Sequence, residues 1–306
     1  MRLVITGAAG FLGSEIARQA KADPRVSAVR LVDLAASSEQ SGQEWLLGDL
    51  RDPGTRARIL DGADTVIHLA ATMGGAAEAD PVAARETNID VPLAMIEALR
   101  ERPGTRFVFA STIAVLGASL PDPVTDATPL APVMLYGAQK AMIETALSCE
   151  ARNGRLDAVS LRPAGIMARK GLDAGLKSAF LSRLFWAIAR GDDIVLPVAG
   201  DGRTWLASVR NVAANFLHAA CSPGPWPVEP MTLPALAPTF DDLVAALRKR
   251  FPESASRVTF ASEPEASRLF GQFPTLYTGL AEKAGFVADT DLSALIDGAM
   301  TDLEDP

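Results

Sequence analysis

The sequence predicts a doubly wound α/β domain with a parallel sheet, followed by a smaller α+β lobe, and three observations lead there. Six short β-branched runs alternate with amphipathic stretches through the first half of the chain. Each run is apolar almost throughout, as strands covered on both faces are. A glycine-rich turn follows the first run and opens the first helix. Strands separated by helices pair in parallel through right-handed crossovers, which makes the sheet doubly wound.

Taken in order, the strands are "RLVIT", "AVRLVDL", "EWLLGDL", "DTVIHLA", "RFVFAST" and "LDAVSLR". Helical patterns fill most of the gaps, among them stretches near 82–101 and 136–152. After Pro163 the alternation gives way to a Gly/Lys-containing segment, a helix over 174–190, strands near 193–197 and 204–208, and a helix over 211–221. "CSPGPWPVEP" reads as a proline-rich surface connection, and "PESASRVTFASEPEA" as a loop carrying a short strand.

Composition narrows the chemistry. The 306 residues, 48% hydrophobic, suffice for one large domain or two lobes sharing a core. A net charge of −8 argues against a nucleic-acid surface, which needs clustered Lys and Arg. Cys149 and Cys221 form no C-x-x-C pattern, and with only His68 and His218 no metal site is expected. "MRLVITGAAGFLG" lacks the apolar region of a signal peptide, and no uninterrupted apolar stretch reaches membrane-spanning length. A cytoplasmic protein with a small-molecule partner is the expectation.

"VITGAAGFLG" places Gly7, Gly10 and Gly13 after the first strand, with Phe11 and Leu12 at the mouth of the helix. Glycines there allow a tight turn, close approach of a pyrophosphate and close packing of helix on strand, while the helix N-terminus supplies N–H groups and dipole. The second strand ends in Asp33, twenty residues beyond Gly13, where an acid accepts from adenosine ribose hydroxyls and repels a 2′-phosphate. NAD is therefore expected over NADP. In "GDL", Asp49 is placed to accept from an adenine amino group.

"LYGAQKAMIETAL" carries one of only two tyrosines, with a lysine four places on, so Tyr136 and Lys140 share a helix face. A phenol titrates near 10, but an adjacent ammonium and a cationic nicotinamide ring both favour phenolate. Tyr136 is then the expected base for a substrate hydroxyl, with Lys140 also reaching the nicotinamide ribose. "FVFASTIAVLG" ends the fifth strand where open α/β sheets place ligands, and Thr112, beside Ser111, is expected to donate to the substrate oxygen. Asn88 in "RETNID" is expected to order water or helix geometry next to the cofactor.

The segments "TGAAGFLG", "GDL", "HLAA", "FASTIAVLG" and "YGAQK" resemble the extended short-chain dehydrogenase/reductases, the NAD-dependent epimerase/dehydratase family, over residues 1 to about 220. The resemblance implies a Rossmann domain over 1–163, with 204–221 packing back on it, and a mostly substrate-binding lobe over 164–306. It implies a catalytic set falling on Thr112, Tyr136 and Lys140. It also implies cofactor contacts from the glycine turn, Asp33, Asp49, Leu50, the Ala70–Ala71 backbone and the backbone following Pro163. "LPDPVTDATPLAPVMLYGAQKAMIE" and "GRTWLASVRNVAANFLHAA" resemble the branch that oxidises small sugar acids such as erythronate. In that branch's loop after the sixth strand this chain keeps Arg169 and Gly171 but has Leu172 and Ala174 where lysine and asparagine are usual, which argues for a changed acid. Leu116 stands where the family often has tyrosine.

Three functions stay open at this point: an NAD-dependent dehydrogenase of a small sugar or hydroxy acid, a nucleotide-sugar epimerase that returns its hydride, and a non-catalytic NAD sensor. For the first, Ser111, Thr112, Arg169, Arg203 and Arg210 are the expected substrate contacts, with Lys170 and Lys177 adding to a cationic neighbourhood that suits an anion. A homodimer through the helices near 82–101 and 136–152 is also expected, because Val91, Ala94, Met95 and Ala98 form one apolar stripe while Leu93, Ile96 and Leu99 lie off it.

Overall fold

The computed structural model describes residues 1–37, 40, 43–169 and 178–300. Strands β1 (Arg2–Thr6), β2 (Ala28–Asp33), β3 (Glu44–Leu47), β4 (Thr65–His68), β5 (Arg106–Ala110) and β6 (Asp157–Arg162) are the six expected runs. The shorter ones are β7 (Gly165–Ile166), β8 (Ile194–Leu196), β9 (Leu206–Ala207), β10 (Met231–Thr232) and β11 (Val258–Phe260). The main sheet has seven strands in the order β10-β6-β5-β4-β1-β2-β3, and every pairing in it is parallel. Strand order reverses between β1 and β4, and that crevice is where such sheets bind ligands. The seventh strand, β10, was not foreseen; two residues carry no readable period.

Twelve helices flank the strands among the described residues. They are α1 (Phe11–Ala22), α2 (Pro53–Leu60), α3 (Gly74–Ala79), α4 (Pro81–Arg85), α5 (Val91–Arg100), α6 (Leu135–Arg152), α7 (Ala179–Arg190), α8 (Val209–Cys221), α9 (Phe240–Arg250), α10 (Pro264–Ala266), α11 (Gly279–Lys283) and α12 (Leu292–Ala299). The first turn of the helix expected over 174–190 lies outside the described residues, as do Lys170, Gly171, Leu172, Ala174 and Lys177.

Strand alternation explains the near-continuous apolarity. Leu3, Ile5, Leu31, Ile67, Val108 and Val159 pack toward α1 and α8, where they meet Ile16, Ala17, Val212 and Phe216. Val4, Val32, Val66, Phe107 and Phe109 point the other way, onto Val91, Met95, Ile96 and Leu99 of α5 and onto Ile143 and Leu147 of α6. Across β1, β4, β5 and β6 nearly every residue is buried, whereas the edge strand β3 leaves Leu47 exposed. The two-sided expectation for α5 needs correction, since Ile96 and Leu99 are buried in this chain's own core and Leu93 is the large apolar residue left outside.

A second core joins α7, α9 and α12 through Phe180, Leu184, Phe185, Phe240, Leu243 and Leu295, against Leu196 and Leu206. Here β8 pairs in parallel with β11, and β7 with β9. A small separate cluster gathers Trp205 with Val115, Leu116, Val124 and Ala164. Leu116 is therefore core, buried where a tyrosine was the family expectation. No helix among the described residues is long and apolar enough to cross a membrane.

Candidate active site

β1 runs into a turn shaped by glycine. Gly7 has φ +71°, in the left-handed region, and a Cβ there would stand 2.8 Å from the Ala70 nitrogen, so the turn lies against the loop after β4. A Cβ on Gly13 would collide with the Gly7 carbonyl and stand 2.8 Å from Ala8 Cα, so the close approach of α1 to the turn requires glycine. Gly10 is the N-cap of α1, and no side chain caps that end. The N–H groups of the first turn, from Phe11 through Gly13, thus lack a side-chain partner, at the positive end of the helix dipole. A side chain on the turn would fill this cradle; an anionic diphosphate fits it.

Asp33 closes the cradle from the side. One carboxylate oxygen accepts from Ala9 N at 3.0 Å and the other from Leu34 N at 2.8 Å. Asp49 is engaged by Arg51, with Nη2 2.6 Å away, and those hydrogen bonds hold its carboxyl below the usual carboxylate range. Arg51 also reaches Glu86 at 3.0 Å. Leu50 is buried in the α5–α6 core, with its carbonyl accepting from Arg56.

Across the crevice, β5 ends at Ala110 and Ser111 continues its pairing by donating to Leu161 O at 2.8 Å. The Ser111 hydroxyl is buried with no partner among the described residues. Thr112 caps the 3₁₀ turn Ile113–Leu116, its oxygen accepting from Ala114 N at 3.1 Å. Ile113 N donates to the Pro163 carbonyl at 3.3 Å, which draws the backbone after β6 to the same place. The start of α6 packs on this turn so tightly that a Cβ on Gly137 would stand 2.6 Å from Ala114 O. Glu78 of α3 accepts from Leu135 N at 2.6 Å and steadies that end. The turn that begins at Thr112 and the helix start that carries Tyr136 are packed on one another in this way.

Lys140 follows one turn along α6. It is buried, its Nζ donates to Ala110 O at 2.7 Å, and the nitrogen lies 4.5 Å from the Phe109 ring centre and 5.8 Å from that of Tyr136. Burial lowers the ammonium to about 7, partly offset by the Glu144 charge. Burial pushes the Tyr136 phenol up. The expected lowering by the lysine is thus not the balance set by the chain's own groups: desolvation prevails. No described residue hydrogen-bonds the Tyr136 hydroxyl.

Three buried side chains beneath this set escaped the sequence reading. Glu144, the next residue on the Tyr136–Lys140 face, takes a bidentate bond from Arg162 of β6 at 2.7 and 2.6 Å. The i, i+4, i+8 spacing would have revealed it. His68, stacked beside Phe107 and Phe109, accepts from or donates to Thr6 at 2.8 Å through Nδ1. Burial, and then the Lys140 charge, push it down to about 3. Gln139 bonds Asn88 at 2.7 Å, and Asn88 holds both backbone groups of Thr72, at 2.9 and 2.8 Å. Ala70 and Ala71 immediately precede that anchor.

The arginines diverge. Arg169 follows Ala168, which has φ +63° and a carbonyl accepting from Trp186 Nε1 at 2.9 Å; such strain in a non-glycine residue costs about 1 kcal/mol or more. Arg203 is exposed, its backbone bridged to Thr239 and Gln272. Arg210 lies in the first turn of α8. Its carbonyl accepts from Gln19 of α1 at 2.9 Å, its Cβ lies against Gly298 of α12, and Gln19 is about 13 Å along α1 from Gly10. No group of three or more His, Cys, Asp or Glu able to hold a metal occurs among the described residues.

The family model "NAD dependent epimerase/dehydratase family" matches residues 3–224. The chain belongs to that family. It is an NAD-dependent enzyme of the extended short-chain dehydrogenase/reductase type, and the glycine cradle fits that cofactor. It is 29% identical to a D-erythronate dehydrogenase of Haemophilus influenzae, over 97% of this chain and 98% of the relative. It is 33% identical to a D-erythronate dehydrogenase of Cupriavidus necator, over 99% and 98%. Among solved structures, it is similar to a nucleoside-diphosphate-sugar epimerase from Agrobacterium tumefaciens, with TM-score 0.87 and 28% identity, covering 100% of this chain and 94% of that one.

Proposed function

We propose that the protein oxidises a secondary hydroxyl of a small sugar acid or hydroxy acid, D-erythronate-like, with NAD as hydride acceptor and Tyr136 as base. The observation that carries this reading is the near-full-length likeness to two D-erythronate dehydrogenases in a chain whose α6 seats Tyr136 on the Thr112 turn. Residues 1–163, with 204–221 packed back on them, carry the cofactor, and most of 164–306 faces the substrate. Gly7, Gly10, Phe11, Leu12 and Gly13 hold the diphosphate; Asp33, Asp49 and Leu50 hold the adenosine. Ala70, Ala71, Asn88, Tyr136, Lys140 and Pro163 surround the nicotinamide half.

NAD, when bound, supplies a cationic ring that accepts hydride. The chain's own part is proton and position. Thr112, with Ser111 beside it, donates to the substrate oxygen, and Tyr136 takes the hydroxyl proton as the carbinol hydrogen leaves as hydride. Because burial raises the phenol, it needs positive charge beside it. Lys140 supplies one, and the buried Glu144 helps keep that ammonium protonated. Arg169 and Arg203 are assigned to the substrate carboxylate, which suits their planar guanidinium groups.

The likeness to the Agrobacterium enzyme favours a second reading, a nucleotide-sugar epimerase in which hydride returns to the substrate. Incubation with NAD and a panel of four- to six-carbon aldonates, uronates and UDP-sugars, followed by NADH absorbance, separates the two. NADH accumulating with a sugar acid supports the dehydrogenase; interconversion of UDP-sugars with no net NADH, every acid staying inert, replaces it. The reading includes a cytoplasmic homodimer joined where Leu93 of α5, Val82 of α4 and Met142 of α6 are exposed. Light scattering at micromolar concentration tests it, and a monomer contradicts it.

A further inference from the structure

Gln139 precedes Lys140 on α6 and is buried, 4% exposed. Its Oε1 accepts from Asn88 Nδ2 at 2.7 Å. Asn88 is itself buried and lies in a π-turn, Glu86–Asp90, inserted between α4 and α5. Such turns widen a helix by one residue and often mark functional sites. The second Asn88 N–H donates to Thr72 O at 2.8 Å, and its Oδ1 accepts from Thr72 N at 2.9 Å. Both donors and the acceptor of one carboxamide are therefore spent on linking two other segments, the loop after β4 and α6. The other inward residues of this part of α6 include apolar Ile143 and Leu147, so packing alone does not call for an amide here. A fully satisfied buried polar network fixes relative position more sharply than apolar contact does.

We propose that Gln139 is a positioning residue which, through Asn88, locks the loop bearing Ala70 and Ala71 to the Lys140 turn of α6, so that NAD engaging one segment orders the other. The proposal rests on the assignment of Ala70, Ala71 and Lys140 as cofactor contacts. Gln139 itself touches neither cofactor nor substrate in this scheme. Loss of its oxygen leaves a buried Asn88 N–H without a partner and uncouples the two segments.

The test uses the full chain and three variants, Gln139→Met, Gln139→Leu and Gln139→Glu, the last of which keeps an oxygen acceptor at the same place. NAD affinity is read by calorimetric titration, and hydrogen exchange is read in peptides covering 69–73 and 135–140 with and without NAD. In the wild type, NAD slows exchange in both segments together. Gln139→Met binds NAD about tenfold more weakly and loses protection in the helix segment, while Gln139→Glu restores both. If Gln139→Met does not fold, the contrast of Gln139→Leu with Gln139→Glu stands in its place. Wild-type affinity with joint protection in the apolar variants overturns the proposal, and so does a Gln139→Glu variant as impaired as they are. Absence of NAD-dependent protection in both wild-type segments overturns the cofactor assignment, and the proposal with it.

Discussion

Replacing Gly13 by alanine tests how the turn and helix are joined. The added Cβ would collide with the Gly7 carbonyl and stand 2.8 Å from Ala8 Cα and 3.1 Å from Ala8 C. All three are backbone atoms of the turn itself, so no side-chain rotation relieves the contact. Carbon atoms settle about 3.5–4.0 Å apart, and the turn must open by about 1 Å. Because α1 is held from behind by Val212, Ala213 and Phe216, that opening strains a packed core, at a cost of about 1–3 kcal/mol. The melting temperature should fall by roughly 2–10 °C. The N–H groups at the start of α1 shift with the turn, and NAD affinity should fall at least about tenfold. Gly10→Ala is the control. Gly10 has φ −75°, which alanine tolerates, and its Cβ meets only Gly7 O, at 3.2 Å. That variant should lose less melting temperature than Gly13→Ala, since an alanine N-cap costs only about 1 kcal/mol or less, and, with the cradle assigned to the diphosphate, should lose NAD affinity as its methyl group intrudes there. Calorimetric melting and NAD titration of both variants decide the matter. A Gly13→Ala protein with wild-type melting and affinity would refute the reasoning, as would a Gly10→Ala protein that melts as low as Gly13→Ala.

Asp33→Ala should reduce the preference for NAD over NADP in competition titration; an unaltered ratio leaves Asp33 only its bonds to Ala9 and Leu34. His68 titrates at about 3 in the fold against 6.5 in its absence, so its contribution to stability is complete above pH 6.5 and is lost progressively as pH falls from there toward 3. Between pH 7 and pH 5 the wild type should lose about 2 kcal/mol that His68→Leu does not lose, measured by urea unfolding; parallel losses would mean that His68 is not held neutral. Arg203→Ala should raise KM for a sugar acid without changing NAD affinity, and an unchanged KM removes the arginine from the substrate site.

Much of this was legible because it is local. Six strands, the glycine turn and the Tyr136–Lys140 spacing each lie within a few consecutive residues and obey a short period. What was missed depends on distant partners. Gln139 and Asn88 are 51 residues apart, and an asparagine in a helix says nothing of the loop it will hold. Glu144 was readable from the helical face but reads as a surface charge until Arg162 of β6 is placed beneath it. The buried arc of α5 runs from Val91 through Met95 and Leu99 to Ile96, wider than the narrow stripe expected, because the helix is covered by both the sheet and α6. Spacing reports the charge beside the Tyr136 phenol but not the loss of water around it, which by itself pushes the phenol up. The Arg210 carbonyl accepts from Gln19 of α1 and its Cβ lies beside Gly298 of α12, contacts between distant segments that no local pattern reports.

The claim that Tyr136 removes the substrate proton is tested most directly by Tyr136→Phe, assayed for NADH formation on the sugar acid that the wild type oxidises, with NAD affinity measured alongside. Phenylalanine keeps the ring and lacks only the hydroxyl, so turnover should fall by about a hundredfold or more while NAD binds nearly as before. Turnover within about tenfold of wild type, at unchanged NAD affinity, would contradict the account.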